Sequence, residues 1–411
     1  MRIQRAYRTE LRLSGEQRRR CLRSAGTARF AYNWGLRQKI DACRETGRSP
    51  DAMRLHRLLN ELKKTEFPWM YEVSKCCPQE ALRDLDRAFA NFFRRVREGG
   101  KPGFPRFKSR KRGIGGFRLT GSIRVEESAI HLPRLGRLRL KERGYLPTDR
   151  HVLSATVSEQ AGRWFVSALV EEEIDPPAHY GGAVGIDVGL EKLAVLSDGS
   201  VYENPRALEG ALSKLRRLGK SVSRKRKGSK NRRKAVLRLS RQHYRVSCLR
   251  RDAIHKATTA ITKQFGLIGI ESLNLRGMIR GRHLSRSVSD AGLSELKRQI
   301  KYKALWRGGR VVEADRFFPS SKTCSRCKTI KKNLSLGERI FRCEACGLVL
   351  DRDLNAAINL RDTAVSSTVE ACGAASGGGI PVVRESTSRA VLKQEAGEDG
   401  YCRDAIFVYT L

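Results

Sequence analysis

The chain has 411 residues, more than one hydrophobic core usually serves, so two or three domains are expected. Its 83 Lys and Arg against 43 Asp and Glu leave a net charge of +40. Such a surplus repels itself unless a polyanion neutralises it, so nucleic acid is the expected partner. No apolar run is long enough to span a bilayer, and the start, MRIQRAYRTE, lacks the apolar core of a signal peptide, which points to a cytoplasmic protein with no membrane partner.

The first elements mix two periodicities. Residues IQRAYRTELRLS alternate as a strand does, and Ser14 followed by Glu16 and Gln17 has the form of a helix entry. Beyond it Leu22, Ala25, Ala28, Tyr32, Leu36 and Ile40 recur at helical spacing to about residue 45, with arginines on the other face. A second helix is expected from Pro78 to Gly99, proline first and glycine last. Its stripe of Leu82, Leu85, Phe89, Phe92, Phe93 and Val96 reads as a bundle core rather than a base-stacking face. Residues 101–112, KPGFPRFKSRKR, set Phe104 and Phe107 among cations, which suits stacking on bases as well as it suits a solvated linker. From 117 to 170 short alternating runs such as IHLPRLGRLRL and RWFVSALV, broken by Gly and Pro, indicate an antiparallel β module. If the opening strand pairs with this module, the helices are an insertion in a β-barrel.

Residues 183–203, AVGIDVGLEKLAVLSDGSVYE, read as a strand followed by a hairpin. Strand alternation puts Asp187 on the face of Gly185 and Gly189, where open space for a metal ion and a phosphate backbone is expected, and turns Ile186 and Val188 into the core. The segment 213–251 is densely cationic yet keeps Leu212, Leu215, Leu218, Val222, Val236, Leu239 and Val246 at helical spacing. It is read as two helices joined near Gly228, a cationic arm suited to phosphate. A further helix ends near Phe265, and LIGIESLN gives a buried strand with Glu271 on the face of Gly269. A helix over 290–307, a strand in GRVVEADRFFP and a last helix in DLNAAINLRDTA follow, the last beginning at Asp353 and packing through Ala356, Ala357 and Leu360. From about residue 363 Ser, Gly, Ala and Thr dominate, the composition of a flexible tail.

Between the last strand and the last helix stand two Cys-x-x-Cys turns, Cys324/Cys327 and Cys343/Cys346, with fifteen residues between them. Each turn aims two thiolates at one point, and two such turns make a closed tetrahedral zinc site; disulfides or free thiols are the alternative. Four Cys ligands leave no open position for water, so the zinc is structural. The other cysteines, Cys21, Cys43, Cys76, Cys77, Cys248, Cys372 and Cys402, form no framework and are read as ordinary thiols. Asp187, Glu271 and Asp353 fall at element ends in strand, strand, helix order. Singly each could be a cap or a surface charge. Together they suit hard divalent ions such as magnesium, which activate water in phosphodiester cleavage.

The motifs GIDVGLEKLA, GIESLN, SSKTCSRC, CEACG and DRDLNAAINL, with RFAYNWGL at Arg29 to Leu36 and PRFKSRK at Pro105 to Lys111, resemble those of the TnpB (OrfB) family of IS200/IS605-type transposons, ancestral to type V CRISPR effectors. The resemblance covers residues 3–362. It implies an α/β multidomain protein: an RNase H-like (RuvC) nuclease domain with an inserted zinc ribbon, and an N-terminal wedge β-barrel carrying a helical recognition insertion. The implied boundaries are 1–13 and 113–178 for the barrel, 14–112 for the recognition module and basic linker, 179–318 and 347–365 for the nuclease domain, 319–346 for the ribbon and 366–411 for the tail. The implied activity is RNA-guided DNA endonuclease: guide RNA from the transposon end pairs with double-stranded target DNA, and the protein reads a short adjacent DNA motif. By this resemblance Asp187, Glu271 and Asp353 bind catalytic magnesium, with Asp351 as the alternative third acid, and Cys324, Cys327, Cys343 and Cys346 bind zinc. It also implies a monomer within the ribonucleoprotein, cytoplasmic and associated with the nucleoid. Strand transfer in that family belongs to a separate tyrosine enzyme. The competing function is a nuclease-inactive RNA-guided, or plain DNA-binding, regulator.

Overall fold

A computed structural model describes residues 2–100, 103–175, 181–281, 283–335 and 337–373; most of the segment 366–411 expected as a tail lies outside the described residues. The described residues divide into two compact units, 2–173 and 174–373.

The first unit is built on a seven-stranded sheet. Its strands are β1 (Arg2–Arg12), β2 (Gly116–Leu119), β3 (Arg124–Val125), β4 (Ala129–Leu132), β5 (Gly136–Leu140), β6 (Val152–Gln160) and β7 (Arg163–Glu173), in the order β2-β6-β7-β1-β5-β4-β3. All neighbours are antiparallel, and β1 pairs with β7 from Arg2 opposite Glu173 to Leu11 opposite Trp164. The opening strand therefore lies inside the β module, and the helices between β1 and β2 are an insertion. β2 and β3 end the sheet, with no ladder between them among the described residues.

The insertion holds α1 (Gly15–Thr46), α2 (Ala52–Thr65) and α3 (Cys76–Arg97). Ser14 starts α1 through a reciprocal pair: its Oγ accepts from the Gln17 N–H, and Gln17 Oε1 accepts from the Ser14 N–H. Gly47, at φ 69°, ends it in the left-handed conformation. α1 lies close to α3, since a Cβ at Gly35 would come within 2.5 Å of Leu82 Cδ2. Sequence reading passes over α2, although Asp51 caps it by accepting from the Arg54 N–H at 2.7 Å and Leu55 and Leu59 are buried at helical spacing.

The stripe on α3 is only half core. Leu82 and Leu85 are fully buried, but Phe93 is 56% exposed and Val96 48%. There Phe92 packs edge-on against Phe93 and Phe104, with centroids 5.1 and 5.6 Å apart, as a satellite cluster. The basic segment after α3 is pinned rather than loose: Asn33 of α1 donates to the Lys108 carbonyl at 2.9 Å and accepts from its N–H at 2.7 Å.

The second unit has a mixed five-stranded sheet of β8 (Ala183–Asp187), β9 (Lys192–Leu196), β10 (Val201–Glu203), β11 (Leu267–Ile270) and β12 (Arg310–Glu313), ordered β10-β9-β8-β11-β12. β8, β11 and β12 are parallel; β9 and β10 form the antiparallel hairpin. Its helices are α4 (Leu212–Ser223), α5 (Lys230–Gln264), α6 (Leu275–Arg280), α7 (Ser285–Ala291), α8 (Leu293–Trp306) and α9 (Arg352–Gly373), and a small ribbon is formed by β13 (Ile340–Arg342) and β14 (Val349–Asp351). α4 and α5 meet at Gly228, φ 85°, as the sequence suggests. The helix expected separately before Phe265 is instead the continuation of α5, which contains neither Gly nor Pro to break it.

One sheet face packs Val184, Ile186, Ile268 and Ile270 against Ile254 and Ile261 of α5 and Leu296 and Ile300 of α8. The other face meets α9, and here the expectation of open space beside Asp187 is corrected. A Cβ at Gly185 would lie 1.8 Å from the Ala357 carbonyl oxygen, and one at Gly269 would lie 2.2 Å from that of Leu360. These glycines admit a helix backbone against the sheet, and the space they save is filled by α9.

Candidate functional site

Parallel pairing of β8 and β11 carries the carboxyl ends of both strands to one edge of the sheet, where open α/β sheets bind ligands. Asp187 is the last residue of β8 and Glu271 immediately follows β11. α9 starts with Asp353 in its first turn. Burial, then the charges of Glu271 and Asp353, hold the Asp187 carboxyl well above the usual carboxylate range, with Arg352 opposing the shift. Arg352 Nε stands 3.6 Å from Asp353 Oδ1. Glu271 is fastened twice, its Oε1 accepting from the Ser320 hydroxyl and its backbone carbonyl from Lys297 Nζ at 2.7 Å. Asp351 has other work. Its Oδ1 caps α9, accepting from the N–H groups of Asp353 at 2.9 Å and Leu354 at 3.0 Å.

The donor set fits a hard divalent cation. It is all oxygen, the donor such a cation prefers, and a cation beside Asp187 would offset the burial and the two neighbouring charges that disfavour its charged form.

The four knuckle cysteines converge, their sulfurs all within 4.8 Å of one another. Cys324 and Cys346 sulfurs are 3.6 Å apart and those of Cys327 and Cys343 3.5 Å. That is far longer than a disulfide at ~2.05 Å and close to the ~3.8 Å tetrahedron edge that bonds of ~2.3 Å require. The two turns are built alike: the Lys328 N–H donates to the Cys324 carbonyl and the Gly347 N–H to that of Cys343, both at 3.0 Å. The site fits structural zinc. Outside it, burial pushes the Cys21 and Cys77 thiols up to about 12, so both are inert packing residues.

α4 and α5 carry the densest charge. Between Leu212 and Gln264 the single acid is Asp252. Arg216, Arg217 and Lys220 of α4, with Arg224 and Lys225 just past its end, line one shallow surface suited to a phosphate backbone.

Three family models match the chain: the OrfB_IS605 model, described as a probable transposase, over 155–282, its helix-turn-helix domain over 1–48, and a Cas12f1-like TNB domain over 294–360. A protein of Streptomyces pristinaespiralis is 36% identical over 399 residues, 96% of each chain, and bears the provisional description of RNA-guided DNA endonuclease. The chain belongs to the TnpB (OrfB) family. InsQ of Escherichia coli, with the same provisional description, is 34% identical over 402 residues, 93% of this chain and 97% of InsQ. Cas12f1 of Sulfoacidibacillus thermotolerans, a CRISPR-associated endodeoxyribonuclease, is 26% identical over 189 residues, 43% of this chain and 44% of that one. In this TnpB-family chain the stretch matched as helix-turn-helix is a strand and one helix of 32 residues.

Sequence reasoning finds the four cysteines that come together and names the three acids as candidates, but misses Ser320, Lys297, Asn355 as a brace, and Asn359. Nothing local marks them, because their partners are set by the sheet and by α9.

Proposed function

We propose that the chain is an RNA-guided DNA endonuclease that cuts DNA beside a short transposon-associated motif, through Asp187, Glu271 and Asp353. The observation that carries this is the Asp187 carboxyl, last residue of β8, raised by burial and then by the charges of Glu271, just past β11, and of Asp353, in the first turn of α9. The provisional description shared by relatives matching more than nine-tenths of the chain supports the same reading. So does the mixed sheet with helices on both faces, which suits an RNase H-like (RuvC) domain over 179–318 and 347–365.

Asp187, Glu271 and Asp353 would hold magnesium, which supplies activated water and charge neutralisation at the scissile phosphate. The protein's own part is placement. β8 carries Asp187, the end of β11 leads straight into Glu271, α9 brings the third acid, and Ser320 and Lys297 hold Glu271. The antiparallel unit suits the wedge (1–13, 113–178) with its recognition insertion (14–112), and residues 319–346 the ribbon contacting target nucleic acid. The cationic α4 and α5 would hold guide RNA or the DNA paired with it.

The test is cleavage of a plasmid library with a randomised motif beside a fixed target, the protein being co-expressed with its flanking transposon-end RNA. Guide-directed, magnesium-dependent cuts absent from Asp187→Ala are expected. Guide-dependent binding without cutting by the unaltered protein would overturn the nuclease reading in favour of a regulator.

A further inference from the structure

We propose that Ser320 is a positioning residue for Glu271, and that the cysteine ribbon braces the carboxylate site through it. The inference rests on Glu271 being a cation ligand.

Ser320 is 4% exposed and donates its hydroxyl to Glu271 Oε1. Its own carbonyl accepts from Asn359 Nδ2 at 2.9 Å. The same Asn359 amide donates at 2.6 Å to the Thr323 carbonyl, which also accepts from Asn355 Nδ2 at 2.7 Å. Asn355 Oδ1 in turn accepts from the Ser325 N–H at 2.9 Å, so both asparagines grip the chain that enters the first knuckle at Cys324. Asn355 and Asn359 are 0% and 2% exposed, one turn apart on α9, the helix with Asp353 in its first turn. Lys328, just past that knuckle, adds an ion pair to Asp362 of α9 at 2.6 Å.

One buried polar network thus joins Glu271, the helix bearing Asp353 and the first cysteine turn. Such a network is stiff when every member is satisfied. A carboxylate beyond a strand end has free torsions. A fixed donor on Oε1 selects one orientation and leaves Oε2 for a cation, as partners behind metal ligands commonly do. Lys297 on the Glu271 carbonyl holds the backbone while Ser320 holds the side chain.

The test compares Ser320→Thr with Ser320→Val in the full-length, zinc-loaded chain, since the two side chains share a shape and differ in the hydroxyl. Mn2+ binding is measured by electron paramagnetic resonance, with zinc content and melting temperature alongside. Threonine is expected to bind Mn2+ within about twofold of the parent and valine about ten- to a hundredfold more weakly, with zinc retained. Equal affinity of the two variants overturns the proposal, whether both match the parent or both fall. Ser320→Ala replaces valine if that chain does not fold. Glu271→Gln separates the layers. If it binds Mn2+ like the parent, the carboxylate-site reading fails; if it loses binding while threonine and valine agree, only the role of Ser320 fails.

Discussion

At Gly185 and Gly269 a single methyl group decides whether the sheet can lie against α9. The added Cβ would sit 1.8 and 2.2 Å from helix carbonyl oxygens, and a backbone carbonyl cannot swing aside as a side chain can. Gly185→Ala should therefore cost about 3 kcal/mol or more, seen as a large fall in melting temperature or loss of soluble protein. Lys303 gives a different test at this scale. Burial, helped by Arg307, lowers its pKa from 10.5 to about 8, while its ammonium donates to Thr258 Oγ1 at 2.7 Å and Thr259 Oγ1 at 2.9 Å. Between about pH 8 and 10.5 the unfolded chain binds the proton more than the folded one does, so this residue makes stability rise with pH across that window. Its contribution is at most about 3 kcal/mol. Melting curves of Lys303→Met against the parent should show that rise diminished; an unchanged slope would count against the buried-ammonium account.

Among elements, the ribbon and α3 contrast in what holds them. The ribbon has a core of little more than Phe341 with its cysteines and Leu348, too small to order it without metal. One zinc per chain is expected, and Cys343→Ser should abolish its retention and lower the melting temperature. α3 is anchored through its first half. Leu85→Ala should cost about 2–5 kcal/mol, whereas Phe93→Ser, which loses edge contacts in the half-exposed satellite cluster, should cost about 0.5–1.5 kcal/mol, by chemical denaturation. The stripe on α3 is uniform in sequence and its burial is not, because periodicity reports a face and only neighbouring helices decide how far along it the core extends.

Over the whole molecule the net charge of +40 governs how the protein binds a polyanion. Affinity for nucleic acid should fall linearly on a log–log plot against salt. Replacing Arg216, Arg217 and Lys220 by Gln should flatten that slope by about 0.7–0.9 for each phosphate no longer neutralised. An unchanged slope would place the phosphate elsewhere than on this face of α4.

The cysteine spacing, the strand-end positions of Asp187 and Glu271 and the helix start at Asp353 were legible because each depends on local periodicity or on ligand count. So was the insertion of helices between β1 and the rest of its sheet, since alternation marks strands on both sides of it. The role of Gly185 and Gly269 was not legible: a missing side chain reads the same whether it leaves space for a ligand or admits a helix. The unbroken length of α5, Asp351 as a cap and the chain of hydrogen bonds from Ser320 to Asn359 likewise depended on which elements pack together. Sequence alone specified the chemical groups and their local frames. Tertiary structure decided which groups meet, because contacts between residues far apart in the chain are set by packing.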